Sequence, residues 1–296
     1  MKRTKKENKL SVDCLLTADW HLRSSQPTCR TDDFWNAQWD VVRQVSKLQR
    51  RYNCPVLHAG DLFDHWKPSP RLLSQAIKFL PDQFYTVYGN HDVPQHSLDL
   101  IEKTGIYTLM IGGHINVLSG SHFDQIPSDP SMIFPSGDRE VVVWHEYVYT
   151  GKAPFPGAEK EAKGNWALDK YDKFDLILTG DNHIPFVCRD EGRILVNAGS
   201  LTRQSAKQIN YRPRVWLYNA RKNKVKPHYL DVPKDVISRE HIEEKEERDD
   251  RITAFVERLG TKWEGELDFE KNLKTFYQKN DINKEIKDIT YSALEA

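Results

Sequence analysis

The sequence predicts an α/β fold in which two sheets pack face to face and helices flank them. Two observations lead there. Through the first half, short apolar runs alternate with helix-like segments, which reads β-α-β. From 186 to 233 the pattern changes to apolar runs split by turn residues, FVCRD-EG-RILVNAG and RVWLYNARKNKVKPHYLDV, which reads as hairpins. Helical units followed by a β-rich half suggest a sandwich with helical outer layers. No repeat of fixed period appears. A chain of 296 residues with 39% hydrophobic content can bury a large core, as one domain or as one domain plus an appendage.

The elements follow in order. VDCLL (12–16) reads as a buried strand, and 31–51 as a helix capped by Thr31, with Asp32 and Asp33 at its positive end and Val41, Val45 and Leu48 as its apolar stripe. PVLHAG (55–60) is the next strand. Ser69-Pro70 opens a second helix running to about Leu80. FYTVYG (84–89) is a third strand, and HSLDLIEKTG suggests a short helix ended by Gly105. VVVWH (141–145) and FDLILTG (174–180) complete the strands before the hairpins. After Pro233 comes a mixed charge run, REHIEEKEERDDR (239–251), and then helical stripes: Ile252, Phe255, Val256 and Leu259; Phe269, Leu273, Phe276 and Tyr277; Ile282, Ile286 and Ile289. These divide the chain into a main domain, 1–233, and a helical extension, 234–296. Exposed apolar stripes after a charged linker fit either packing on the parent domain or docking of a partner.

Lys+Arg and Asp+Glu both number 43. Zero net charge argues against coating nucleic acid by bulk electrostatics and leaves a local basic groove open. The mean hydropathy of −0.68 describes a polar surface. Four cysteines, Cys14, Cys29, Cys54 and Cys188, form no C-x-x-C pair, so reduced thiols are expected. The basic start has a short apolar run interrupted by Asp13, too short for a secretory core. No apolar segment approaches the roughly 18 residues that span a bilayer. A cytoplasmic protein without a membrane partner is the expectation.

The chemistry-bearing residues recur at strand C-termini, where active sites of α/β sheets assemble. The first strand ends in Asp19-Trp20-His21. In an extended chain, side chains two apart point the same way, so Asp19 and His21 would grip one cation. The second ends in Gly60-Asp61-Leu62-Phe63-Asp64, with the glycine allowing a tight turn. The third ends in Gly89-Asn90-His91-Asp92, the fourth in His145, and the fifth in Gly180-Asp181-Asn182-His183. Alone, each has an ordinary structural reading, a turn or a satisfied histidine. Five in order, D-x-H, G-D-x-x-D, G-N-H-D, H and G-D-x-H, are poorly explained by chance and point to a metal site.

This order and spacing resemble the calcineurin-like metallophosphoesterases. The resemblance covers 19–183, and the hairpins to about 230 also fit. It implies a four-layer α/β/β/α sandwich with two metal ions at the sheet edge. By resemblance, Asp19, His21, Asp61 and His183 hold one ion, Asp61, Asn90, His145 and Asp181 hold the other, and Asp61 bridges. Two cations lower the pKa of a water, clamp phosphate oxygens and stabilise charge in an in-line displacement. Carboxylate, amide and imidazole ligands without thiolate suit Mn²⁺, Mg²⁺ or Fe²⁺, and the resemblance favours Mn²⁺. It gives His91 the role of stabilising the transition state or protonating the leaving oxygen, with Asp64 orienting His91 or approaching the substrate. One departure stands out. The family usually has G-H-x-H at the fifth motif, where this chain has Asp181; the aspartate would then be a ligand or a neighbour of one.

Within the superfamily, GDLF…PS followed by a helix, and NAGSLTRQ (197–204) after the fifth motif, resemble the SbcD-type nucleases of double-strand-break repair. Ala198 stands where that group usually has proline. The resemblance implies a Mn²⁺-dependent DNA exo- or endonuclease. Asn197, Ser200, Lys67, Arg203 and Lys207 are candidates to line the substrate path, and Trp20 and Trp66 to stack on bases or to pack. The alternatives are a small-molecule (di)nucleotide phosphodiesterase and a non-catalytic DNA-binding subunit. SbcD-type nucleases carry a capping domain before their partner-binding helices. The short stretch after Pro233 therefore suggests a compact phage or prophage version, its tail docking an SMC-like ATPase by analogy. A homodimer is also compatible.

Overall fold

In the computed structural model the residues described are 11–118, 139–154, 156, 158–240, 242, 269–280, 282–284, 286–288 and 290. The chain divides into two compact units, Met1–Ser238 and Arg239–Ala296.

The first unit holds two sheets. One has six strands: β1 (Cys14–Thr17), β2 (Val56–His58), β3 (Phe84–Thr86) and β4 (Asn116–Val117) run parallel, and β9 (Arg214–Asn219) and β10 (Lys224–Tyr229) add antiparallel in the order β10-β9-β1-β2-β3-β4. The other has four: β5 (Val141–Trp144), β6 (Leu176–Thr179) and β8 (Arg193–Asn197) run parallel, and β7 (Phe186–Asp190) closes it antiparallel to β8.

Alternation along the strands sorts the core into three layers of side chains. Cys14, Leu16, Leu57, Val141, Val143, Leu176 and Leu178 pack between the sheets. Leu15, Val56, Phe84, Val215 and Leu217 face the other way, onto Trp39, Val42, Val45, Leu72, Ala76, Ile106 and Leu109. These belong to α1 (Phe34–Tyr52), α2 (Pro70–Phe79) and α3 (Gly105–Ile111). Val142, Ile177 and Leu195 pack with Ala167 and Leu168 of α4 (Gly164–Lys170). Helix, sheet, sheet and helix thus stack in four layers, as the resemblance implied.

The helix ends show where local chemistry was misjudged. α1 is capped by Asp33, not Thr31: Asp33 Oδ1 accepts the Asn36 N–H at 3.1 Å. Asp32 is drawn aside by Arg30, at 2.6 and 2.7 Å. α2 starts as expected, with Ser69 Oγ accepting the Leu72 N–H and Pro70 in the first turn. The segment before Gly105 is a 3₁₀ turn, Leu98–Lys103, and Gly105 opens α3 instead of ending a helix. Thr104 caps that helix, and a Cβ at 105 would come within 2.3 Å of the Pro68 ring; close approach places this glycine. At the free edge of the larger sheet, β10 exposes Lys224 and Lys226 and carries Pro227 between them and Tyr229. Pro lacks a ladder donor and is tolerated only on such an edge.

In the second unit, Phe269–Lys279 forms α5, with Leu273, Phe276 and Tyr277 half-buried. Ile252, Phe255, Val256, Leu259 and Ile289, and most of the charge run, lie outside the described residues.

Candidate metal centre

The carboxyl ends of β1, β2, β3, β5 and β6 converge at one edge of the two sheets. The backbone there is not extended. Asp19, His21, Asp61 and Asp181 all adopt positive φ, 51°, 44°, 58° and 66°. The extended D-x-H geometry expected from the sequence is therefore replaced by left-handed turns. Asp and His tolerate that region better than branched residues do, and such conformations persist only where surrounding bonds over-determine them. Those bonds are present. Asp19 N donates to Gly60 O at 3.1 Å, His21 N to Asp61 O at 3.0 Å, and Leu201 N to Asp19 O at 3.1 Å. Asp181 N donates to Asp19 Oδ1 at 2.9 Å. Two glycines give room. A Cβ on Gly89 would fall 2.1 Å from Asp61 Oδ1, and one on Gly180 would fall 2.3 Å from Ala59 O and 2.9 Å from His145 Nδ1. Gly180 supplies clearance, and the left-handed bend belongs to Asp181.

Two clusters result. In the first, His21 Nε2 and His183 Nε2 face each other at 3.0 Å, and Asp19 lies with them. In the second, His145 Nε2 lies 2.9 Å from Asn90 Oδ1 and 3.9 Å from Asp181 Oδ1. Asp61 joins the two: its Oδ2 is 3.5 Å from His21 Nε2 and 3.4 Å from His145 Nε2, while its Oδ1 accepts the His91 N–H at 2.9 Å. Asp19, Asp61 and His145 are almost wholly buried.

Burial pushes the Asp19 carboxyl up and the His183 ring down, and it pushes His21 down to about 3. Burial would lower His145 too, but the Asp61 and Asp19 carboxylates outweigh it and hold the ring up, to about 10. Both its nitrogens face acceptors, Nδ1 donating to Ala59 O at 2.7 Å and Nε2 to Asn90 Oδ1. Burial raises Asp61, and His145 and His21 overcome this to hold it low.

This set fits divalent cations. Asp19 Oδ2 is buried with no hydrogen-bond partner among the described residues. Two imidazole nitrogens approach to 3.0 Å only around a proton or a cation. The donors are hard or borderline oxygens and nitrogens, with no thiolate among them.

Around the clusters, His91 Nδ1–H donates to the backbone carbonyl of Asp64 at 2.9 Å. Its ring meets His21 edge-on, 4.8 Å between centroids. Asp64 thus reaches His91 through its main chain. Its carboxylate instead pairs with Arg23 at 3.2 Å and lies 3.8 Å from His21 Nδ1. Asp92, quoted in the third motif but given no role, accepts from Leu62 N, Phe63 N and Gly89 N at 3.2, 3.1 and 3.0 Å, tying the tips of β2 and β3 together. The Asn182 amide donates to Val148 O at 2.7 Å and its Oδ1 accepts the Ile184 N–H. Gln204 was also missed; its amide donates to His21 O at 3.0 Å. The G-S-L-T-R-Q segment is the signal that could have found it.

The substrate-path candidates separate. Arg203 is 4% exposed, and its guanidinium donates to the carbonyls of Ile209, Lys234 and Pro233. It is a buried tie between segments and does not line an open path. Asn197 and Ser200 are buried as well, bonding Gly199 N and Thr202 O. Lys67 and Lys207 are exposed. Trp20 is wholly buried, edge-on to His58 and Phe84, so it packs and cannot stack on a base. Trp66 is half-buried beside His65.

The DNA double-strand break repair protein Mre11 of Haloferax volcanii is 33% identical over 170 residues, 52% of this chain and 37% of that protein. Mre11 of Methanosarcina acetivorans is 28% identical over 199 residues, 58% of this chain and 30% of that protein. The chain matches well under half the length of these relatives. A solved structure titled as a novel archaeal phosphodiesterase aligns at 13% identity and a TM-score of 0.43, over 73% of this chain and 99% of that one, a likeness that says nothing of chemistry. The sequence profile of the calcineurin-like phosphoesterases matches residues 14–185. That span is more than half of the chain and contains the strand tips from Asp19 to His183, so this chain belongs to the calcineurin-like phosphoesterase family.

Proposed function

We propose that the chain is a metal-dependent phosphodiesterase acting on DNA as an exo- or endonuclease, with Mn²⁺ as its ion. The observation that carries this is the position of the Asp61 carboxylate between two imidazole clusters, each completed by oxygen donors. The Mre11 likeness over about half of the chain supports DNA as the substrate. Asp19, His21, Asp61 and His183 would hold one ion, and Asp61, Asn90, His145 and Asp181 the other. Two such ions supply a water of lowered pKa and a Lewis-acid clamp for the phosphate.

The chain's own residues do the rest. Ala59 O holds the His145 ring through Nδ1 and leaves Nε2 for coordination once its proton is lost. The His91 N–H fixes the orientation of the shared carboxylate. Asp64 O holds the His91 ring through Nδ1, which leaves Nε2 to protonate the leaving oxygen. The Asp64 carboxylate and Gln204 steady Arg23 at the same rim.

The test is a metal-titrated panel of linear duplex, single-stranded DNA and bis-p-nitrophenyl phosphate. Mn²⁺-dependent cutting of DNA is expected. His91→Ala should lose about 10²- to 10⁴-fold in rate while still binding metal. Hydrolysis of the small diester or of dinucleotides with DNA left intact would replace this reading with a small-molecule phosphodiesterase. No hydrolysis of any phosphoester with two metals bound would make the chain a non-catalytic DNA-binding subunit. The main domain, 1–233, carries this activity in the proposal, and 234–296 serves as the docking element for an SMC-like ATPase. Deleting 239–296 should leave cutting of short DNA intact and abolish co-purification with such a partner.

A further inference from the structure

We infer that the β9–β10 ribbon and the loop leading into it form the surface that receives the DNA backbone beyond the metal centre. The inference rests on DNA being the substrate. Arg212, Arg214 and Tyr229 form its contact point.

The first observation is charge. Residues 203–230 carry eight Arg or Lys and no Asp or Glu, in a chain whose net charge is zero. Of these, Arg203 is buried and Arg221, Lys222 and Lys224 lie at the hairpin end of the ribbon, away from Asp19, while Arg212 and Arg214 stand at the end next to it and raise the local positive potential there. The second is side-chain arrangement. Arg212 and Arg214 both lie over the Tyr229 ring, with guanidinium carbons 4.3 and 4.7 Å from its centroid. Tyr229 is 40% exposed. Neither guanidinium makes an ion pair with a carboxylate among the described residues, and besides its ring contacts with Tyr229 and Tyr211 Arg214 is held by Nε–H donating to Arg212 O at 3.3 Å. A stacked, unneutralised pair of guanidiniums keeps its forked donors free for phosphate oxygens, and the ring limits the rotamer entropy lost on binding. Arg203, by contrast, spends its donors on three carbonyls.

The third observation is continuity with the site. Ser200 N donates to His183 O at 3.2 Å. Tyr211 O–H donates to Ser200 O at 2.5 Å. Arg212 follows in the chain. β10 runs parallel to β1, because both are antiparallel to β9. Tyr229 at its C-terminus and Arg214 at the start of β9 therefore lie at the same end of the sheet as Asp19. A nucleic-acid strand with one phosphate at the metal centre has further phosphates to place, and this is the basic, unneutralised surface joined to that centre.

The test compares Arg212→Ala/Arg214→Ala with wild type on two substrates across a salt series. Bis-p-nitrophenyl phosphate reports on the metal centre alone, and DNA reports on both. The double variant should bind DNA several-fold more weakly. Its slope of log affinity against log salt should be shallower by about two, the value for two lost phosphate contacts. Arg212→Lys/Arg214→Lys keeps the charge and should restore the slope; it also serves if the alanine pair folds poorly, as judged by melting. DNA affinity and salt slope shared by wild type and the alanine pair would overturn this surface and leave the DNA reading intact. A wild-type protein that hydrolyses the small diester yet neither binds nor cuts DNA would overturn both.

Discussion

Asp92 has no place in the ligand set, yet three backbone N–H groups converge on its carboxylate from two strand tips. Burial and the nearby Asp61 push its carboxyl up, to about 7, against those donors. Asn offers one acceptor oxygen and turns an N–H₂ toward donors, so Asp92→Asn should destabilise the protein by about 1–3 kcal/mol, read by chemical denaturation. An unchanged midpoint would mean that the loops hold themselves. Asp181 is the second telling residue. Its carboxylate lies 3.9 Å from His145 Nε2, where the resemblance expects an imidazole. If Asp181 is a ligand, Asp181→Ala should bind one metal tightly and the second weakly. Two full equivalents would assign the aspartate to a supporting place. The identities of these residues were legible in the sequence because each follows an apolar strand. The role of Asp92 was not legible, because two of its three partners, Leu62 N and Phe63 N, come from a loop about thirty residues away. Arg203 was misjudged for the same reason: the carbonyls that bury it belong to the chain after β10.

At the scale of elements, the strands were readable from their apolar runs, while the geometry at their tips was not. A D-x-H pair carries no mark of left-handed backbone. That geometry is imposed by bonds between one tip and the next, such as His21 N to Asp61 O, and only the packed sheets bring the tips together. The clearance left by Gly89 shows how tight the arrangement is. Gly89→Ala would drive a methyl group to 2.1 Å from Asp61 Oδ1, so the shared carboxylate must turn away. The expected result is loss of metal binding by calorimetry, with far-ultraviolet circular dichroism near that of wild type. Retained stoichiometry would show that the tip yields at small cost.

For the whole molecule, protons and metal compete. His145 is held up to about 10 from an ordinary 6.5. In the protein without metal, this stabilisation is fully present below pH 6.5 and is lost as pH rises toward 10. The slope approaches about 1.4 kcal/mol per pH unit. His21 and His58 act in the other window. Both are lowered to about 3 by burial, so the stability they contribute is present above 6.5 and is lost as pH falls toward 3. Coordination requires His145 to give up its proton, so metal should raise the melting temperature more at pH 8 than at pH 6. Melting curves with and without Mn²⁺ at the two pH values check this. An equal shift at both would mean that His145 is already neutral. For His58, which touches Thr86 at 2.8 Å and lies among Trp20 and Phe84, replacement by Leu should flatten the acid side of the profile between pH 6.5 and 3.

The free edge of the larger sheet has a consequence for assembly. A second copy approaching β10 as an added strand would meet Lys224 and Lys226, two cations set against two of its own, and a missing donor at Pro227. Strand addition along this edge is therefore disfavoured. The ribbon is thereby kept from pairing with a second copy and stays available on its surface.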